Sequence, residues 1–211
     1  MRSFRHLTPV YIFNKVMVTV YEKRYPDHPW LTEQANSILS TLLKPLDVGL
    51  EWGSGRSTLW LAQRIKHLTS IEHDESWYKK VSNKLKTANI SNVNYLLCKV
   101  GYGKPEEFFY VRVLDSFSKD SLDFALVDGR YRDICANMVL DKIRPGGIVV
   151  VDNANCYLPC DSISPNSIPK GSPSASKAWA CFLDSVKNWR LIWTSNGVWD
   201  TAIYFKPVSG H

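Results

Sequence analysis

The sequence predicts an α/β fold: a doubly wound sheet of about seven strands, mostly parallel, with a reversed strand supplied by a C-terminal hairpin. Three observations predict it. Short apolar runs alternate with stretches of helical periodicity from Leu31 onward. Polar residues close successive runs, at Glu51, Glu72, Lys99, Asp128 and Asp152. Ser195-Asn196-Gly197 separates two β-rich runs near the end, which signals a hairpin.

Each element follows in order. Residues 1–30 form an extension ahead of a single domain, residues 31–211. Met1 to His6 is basic, and Val10 to Val20 is partly apolar but broken by Asn14 and Lys15. No small-x-small cleavage site follows, so neither a signal peptide nor a membrane span is expected. An extra helix packed on the domain, or a partner-binding arm, fits this stretch. Leu31 to Leu43 has helical spacing and stops at Lys44-Pro45. A strand ends at Glu51, a helix covers about Ser57 to Ile65, and His67 to Ile71 is a second strand closed by Glu72. Glu75 to Thr87 is helical, with Asp74 as its cap. Val93 to Lys99 is the third strand, Gly101 to Pro105 a loop, and Glu106 to Ser118 holds some helix. Asp123 to Val127 is a strand ending at Asp128-Gly129. Asp133 to Ile143 reads as a helix closed by Arg144-Pro145-Gly146-Gly147. Ile148 to Val151 is a strand ending at Asp152-Asn153. Residues 154–176 are Ser- and Pro-rich and read as a long loop, either a substrate lid or a connector. Lys177 to Val186 is helical, and Trp189 to Thr194 and Val198 to Phe205 form the hairpin.

Composition narrows the class. The chain has 211 residues, 45% of them hydrophobic and 22% charged, a globular balance that excludes overall disorder. The formal charge of +6 admits an acidic partner or RNA, yet no basic run is interleaved with aromatics, so nucleic acid is not favoured. Cys98, Cys135, Cys156, Cys160 and Cys181 are an odd set without paired short spacing, which reads as reduced thiols in a cytoplasmic setting. Cys156 and Cys160 lack a second Cys/His pair for zinc.

The most informative motif is Glu51-Trp52-Gly53-Ser54-Gly55-Arg56-Ser57-Thr58. A glycine turn between a strand and a helix lets a ligand approach the backbone and points free N–H groups at it. Glu72 stands at the tip of the next strand, where a ribose diol is gripped. Together they imply a nucleoside-bearing cofactor. A nicotinamide-type Gly-x-Gly-x-x-Gly pattern requires a third glycine where Thr58 stands.

These residues resemble the class I S-adenosylmethionine-dependent methyltransferases, with their Rossmann-like sheet, over about Leu31 to Pro207. The resemblance rests on Glu51-x-Gly53-x-Gly55, Glu72, Val127-Asp128-Gly129, Arg144-Pro145-Gly146-Gly147, Asp152-Asn153 and the terminal hairpin. It is nearest to a small, stand-alone branch of that family. It implies S-adenosylmethionine as cofactor. Glu51, Gly53, Ser54, Gly55 and Ser57 would hold its methionine end, Glu72 its ribose and His73 its adenine, with Asp128 facing the reacting methyl group. Lys99 stands where the family often has an acid or amide.

Methyl transfer needs an aligned nucleophile and, for a hydroxyl, a base or a metal. Asp128 and Asp152 are the catalytic candidates. Arg130, Asn153 and Tyr157 are the substrate-binding candidates, with Arg132 another rim cation. Asp128, Asp152 and Asn153 also look like the ligand set of divalent-metal O-methyltransferases, so Mg²⁺ or Ca²⁺ is a possible addition; Asx residues capping the turn are the alternative. The expected reaction is methyl transfer to a small-molecule oxygen. RNA or protein methylation, and a non-catalytic cofactor-binding or partner subunit, are the alternatives.

Overall fold

A computed structural model describes residues 8–101 and 103–208. The basic Met1 to His6 stretch lies outside the described residues.

The elements in chain order are α1 (Pro9–Arg24), α2 (Glu33–Leu42), β1 (Val48–Trp52), α3 (Arg56–Ala62), β2 (His67–Glu72), α4 (Glu75–Thr87), β3 (Val93–Leu97), α5 (Phe109–Arg112), β4 (Leu122–Val127) and α6 (Arg132–Val139). They continue with β5 (Ile143–Asp152), the two-residue strands β6 (Pro159–Cys160) and β7 (Ile168–Pro169), α7 (Lys177–Ser185), β8 (Arg190–Ser195) and β9 (Asp200–Phe205). Seven strands form one sheet in the order β3-β2-β1-β4-β5-β9-β8. β1 pairs in parallel with both β2 and β4, and β9 runs antiparallel between β5 and β8. Successive strands step outward in opposite directions on either side of β1, so the crevice between β1 and β4 opens at their carboxyl ends. Ligands of doubly wound sheets bind there.

The central strands are apolar on both faces because helices cover both. On one face α6 and α7 bring Cys135, Ala136, Val139, Trp179 and Phe182 against Leu50, Trp52, Val127 and Val149. On the other, Leu31, Ala35 and Leu39 join Trp60 and Leu61 against Leu68, Phe124, Leu126, Val150 and Ile203. The Trp52 indole, fully buried, donates Nε1–H to the Tyr110 carbonyl at 2.8 Å, so its polar end carries no desolvation cost.

The extension contributes α1. Thr8 caps it by accepting from the Tyr11 amide, and Tyr21 Oη lies 2.7 Å from His28 Nδ1. Val18 is buried against the domain, while Val10, Ile12, Phe13, Val16, Met17 and Val20 are each more than half exposed.

Several element boundaries differ from those read in the sequence, among them α3, which ends at Ala62 rather than Ile65, and β1, which ends at Trp52 rather than Glu51. α6 stops at Val139, not Ile143, and Arg144 to Gly147 belong to β5. The apolar period continues through Leu140 and Ile143, but Ile143 already pairs with Leu122 and a register irregularity absorbs the Pro-Gly-Gly residues. β3 ends at Leu97, which leaves Lys99 beyond it in an ion pair with Glu75 at 3.0 Å. β9 starts at Asp200 rather than Val198, because Asn196 Oδ1 accepts from the Val198 and Trp199 amides and holds them in the turn. The 154–176 stretch contains a 3-10 turn at Ala154–Cys156 and the β6–β7 ladder. It is pinned to the hairpin: Asp200 Oδ1 accepts from Ser164 and Ser195 hydroxyls at 2.6 Å each, and Asn155 Oδ1 accepts from the Asp200 amide. The five cysteines are free thiols.

Candidate active site

Glu51, the residue before the last of β1, has its carboxyl fully buried beneath the glycine turn. Its Oε2 accepts from Thr58 Oγ1 at 2.6 Å and Ser70 Oγ at 2.7 Å, while Oε1 has no partner among the described residues. Burial pushes this carboxyl up to about 7, against the opposing hydrogen bonds from Thr58 and Ser70. Ser57 is buried in the first turn of α3. Thr58, in place of a third glycine, accepts from the Gly55 amide at 2.9 Å and so ties the turn to α3.

The turn itself passes close to the end of β4. Gly53 has φ +89°, and a Cβ there would lie 2.9 Å from the Asp128 carbonyl carbon. At Gly129 a Cβ would meet the Tyr110 hydroxyl at 1.9 Å. The two backbones touch, so only glycine fits, and the crevice floor is bare peptide.

Glu72 ends β2, nearly buried. Its Oε1 accepts from the His73 and Asp74 amides at 2.7 and 2.8 Å. Its Oε2 accepts from Ser54 Oγ at 2.8 Å and from the Ser54 amide at 3.3 Å. Ser54 Oγ also lies 2.7 Å from Tyr95 Oη, whose ring stacks on Tyr78. The carboxylate is thereby aimed at the turn by backbone on one side and by a rotatable hydroxyl on the other. Asp74 caps α4, accepting from the Trp77 amide at 2.7 Å.

His73 Nε2 is 3.3 Å from Arg130 Nε, and His73 Nδ1 is 3.0 Å from Glu72 Oε1. Arg130 is exposed, and its amide donates to the buried Tyr110 hydroxyl at 2.9 Å. This places His73 and Arg130 together on the rim above Glu72.

Asp128, Arg132, Asp152 and Asn153 form the other half of the rim. Arg132 uses every donor it has. Nε donates to the Gly129 carbonyl at 3.0 Å, and Nη1 donates to the Asp152 carbonyl at 2.6 Å and to Asn153 Oδ1 at 3.2 Å. Nη2 donates to the Asp128 carbonyl at 2.7 Å and to Asp128 Oδ1 at 2.8 Å. Asp152 Oδ1 accepts from Thr201 Oγ1 at 2.8 Å and Oδ2 from Asn153 Nδ2 at 2.9 Å. Burial raises both carboxyls, and Asp152 goes higher because the charge on Asp128 adds to its burial. Tyr157 stacks on Trp179 at 5.5 Å and has the Arg132 guanidinium 5.6 Å from its ring centre. Trp179 is core.

The metal expectation does not survive this geometry. Asp128 Oδ1 and Asn153 Oδ1 are already bound to the Arg132 guanidinium, and Asp152 is turned toward Thr201 and Asn153. Among the described residues no group of three or more His, Cys, Asp or Glu is placed to hold a metal ion. The residues do not fit Mg²⁺ or Ca²⁺. They do fit S-adenosylmethionine: a bare glycine crevice, a buried acid with a free oxygen below it, and a second acid at the neighbouring strand tip.

A Rossmann-like sheet with these acids at its switch point defines a class I S-adenosylmethionine-dependent methyltransferase, and the chain belongs to that class. Residues 50–154 match the family model described as a methyltransferase domain. No curated protein matches the sequence. Among solved structures, a methyltransferase-like protein of Silicibacter pomeroyi is 21% identical, with TM-score 0.57 over 86% of this chain and 90% of that one. An rRNA methylase of Streptococcus thermophilus is 13% identical, with TM-score 0.55 over 83% and 95%. A Streptococcus mutans protein solved in complex with SAH is 13% identical, with TM-score 0.53 over 82% and 96%. At these identities the likeness shows the fold.

The sequence reading missed Tyr95, Tyr110 and Thr201. Only Tyr95 left a trace, as an aromatic on the strand beside Glu72. Arg132 was read as a free rim cation and is instead the internal clamp.

Proposed function

We propose that this chain transfers the methyl group of S-adenosylmethionine to an oxygen of a small-molecule acceptor. The observation that carries this is the Asp128–Asp152 carboxyl pair, one member one-third exposed on the rim and the other buried. In this reading Asp152, backed by Thr201, keeps a proton, and Asp128 is the carboxylate base that takes the acceptor's hydroxyl proton. When bound, the cofactor would supply an electrophilic methyl carbon on a sulfonium, whose sulfur would keep the C–S electron pair as the methyl group passed to the acceptor oxygen. Glu72 accepts from the ribose hydroxyls, which requires Ser54 Oγ to turn away from it. Gly53, Ser54 and Gly55 would line the methionine end, with the unpartnered Glu51 oxygen buried beneath them. His73 flanks the adenine. Arg130 holds an acceptor oxygen, and Asn153 and Tyr157 line the acceptor side. Arg132 is a positioning residue that aims Asp128. Five free cysteines fit a reducing, cytoplasmic setting.

RNA is the second reading. Two things favour it: the formal charge of +6, and a fold neighbour that is an rRNA methylase. Labelled S-adenosylmethionine offered alongside total RNA and a panel of small hydroxylated compounds decides between them. Label in RNA, with none in the small compounds, overturns the first reading.

A further inference from the structure

We propose that α1 docks this protein on an anionic lipid bilayer, lying in the plane of the surface with its exposed face among the acyl chains. Three residues fix which side of the helix meets the domain. Val18 is buried, Asn14 stands against the β8–β9 turn at Gly197, and Tyr21 is hydrogen-bonded to His28. They recur at i, i+4 and i+7, one face of a helix. At about 100° per residue, Val10, Ile12, Phe13, Val16, Met17 and Val20 share the opposite arc, which is about 160° wide. Each of them is more than half exposed. Exposed apolar side chains scattered singly are ordinary, but six on one arc within eleven residues form a continuous stripe, and such stripes mark docking surfaces.

Charge selects the occupant. Besides Pro9, the only other residues of α1 on that arc are Lys23 and Arg24, both exposed, at its carboxyl end. Glu22 is the sole acid of α1, and it falls on the Val18 side, half-buried. Arg2 and Arg5 precede the helix in the chain. An apolar stripe with cations at one end and a basic sequence ahead of the other matches a bilayer, which offers acyl chains to the stripe and phosphate oxygens to the cations along one plane. A second copy of the chain fits worse. Parallel pairing of two stripes sets Lys23 and Arg24 against their own copies, and antiparallel pairing sets them toward the end that Arg2 and Arg5 precede, like charge against like in both cases. The helix lies on the bilayer instead of crossing it. Its sixteen residues span about 24 Å, short of a hydrocarbon core of about 30 Å. No helix among the described residues is long and apolar enough to cross a membrane.

The test is flotation of the full chain through a density gradient with vesicles of phosphatidylcholine alone, and of phosphatidylcholine and phosphatidylserine at three to one. Binding to the mixed vesicles is expected, at least tenfold tighter than to phosphatidylcholine alone, and it should weaken as salt is raised. F13S/V16S/V20S and K23E/R24E change only exposed positions, so each should keep the thermal unfolding midpoint of the parent while weakening the mixed vesicles at least tenfold. No flotation with the mixed vesicles, equal flotation of either folded variant, or indifference to phosphatidylserine overturns the proposal. Light scattering of the chain without vesicles tests the second copy. A monomer is expected, and a dimer that F13S/V16S/V20S dissociates would assign the stripe to self-association and overturn the lipid assignment. A stripe that ignores both vesicle types and leaves the chain monomeric belongs to a protein partner, which also overturns it.

Discussion

Glu51→Gln should make this protein more stable in alkaline solution and about 1 kcal/mol less stable in acid. The reasoning starts from the buried carboxyl with one unpartnered oxygen. Burial lifts its titration from the ordinary 4.5 to about 7. The folded chain thus holds the proton more tightly than the unfolded chain does. The stability this contributes is complete below pH 4.5 and is lost as the pH rises through 7. At about 1.4 kcal/mol per pH unit of separation, the loss is on the order of 3 kcal/mol by pH 8.5. Glutamine has the same shape and no charge, and its carbonyl oxygen still accepts from Thr58 and Ser70. Its amide group inherits the unpartnered position, which costs about 1 kcal/mol or more. The net gain at pH 8.5 is therefore about 1–2 kcal/mol. Urea unfolding followed by tryptophan fluorescence at pH 5 and pH 8.5 measures it. A variant less stable than the parent at pH 8.5, or a difference independent of pH, would refute the argument.

Other outcomes follow from the same geometry. Glu72→Ala should weaken SAH at least tenfold by calorimetry, on the scale of about 1.5–3 kcal/mol for charged hydrogen bonds; unchanged affinity removes Glu72 from the cofactor site. Arg132→Met strips five hydrogen bonds from two strand ends and leaves Asp128 unpaired, so unfolding free energy should fall by about 3 kcal/mol. A fall below about 1 kcal/mol would show that the clamp is ornamental. Gly129→Ala drives a methyl group into the Tyr110 hydroxyl and should destabilise by about 1–3 kcal/mol, with part of the loss restored in G129A/Y110F; no restoration would place the clash elsewhere, against the Gly53 amide. Dialysis against EDTA should leave methyl transfer unchanged, and its loss would overturn the reading of Arg132 as occupant of the rim.

Much of the fold was legible because it depends on local pattern. Glu51, Glu72, Asp128 and Asp152 each close an apolar run, and all four stand at carboxyl ends of parallel strands. The end of α6 was not legible, since Leu140 and Ile143 extend the helical period across a break set by pairing with β4. The metal reading failed for a related reason. Asp128 and Asp152-Asn153 have the right residue types in the right order, but their use is decided by Arg132, whose acceptors lie on two strand ends brought together only by the fold. Glu72 was read correctly in place, while its hold on Ser54 and, through it, Tyr95 needed the third strand beside it. Sequence shows which residues reach the rim. It does not show which of them are already bound to one another.

The 154–176 stretch leaves and rejoins the domain at nearly one point, because the Ala175 amide donates to the Tyr157 carbonyl at 2.9 Å. Between those residues its attachments include the Ser164 bond to Asp200 and the Asn155 bonds to Pro165 and Ser167. Such a closed excursion is a cassette. Its interior can be lengthened, shortened or exchanged while the sheet, the glycine crevice and the carboxyl pair keep their positions. The crevice that handles the methyl donor is thereby built from other segments of the chain than this one.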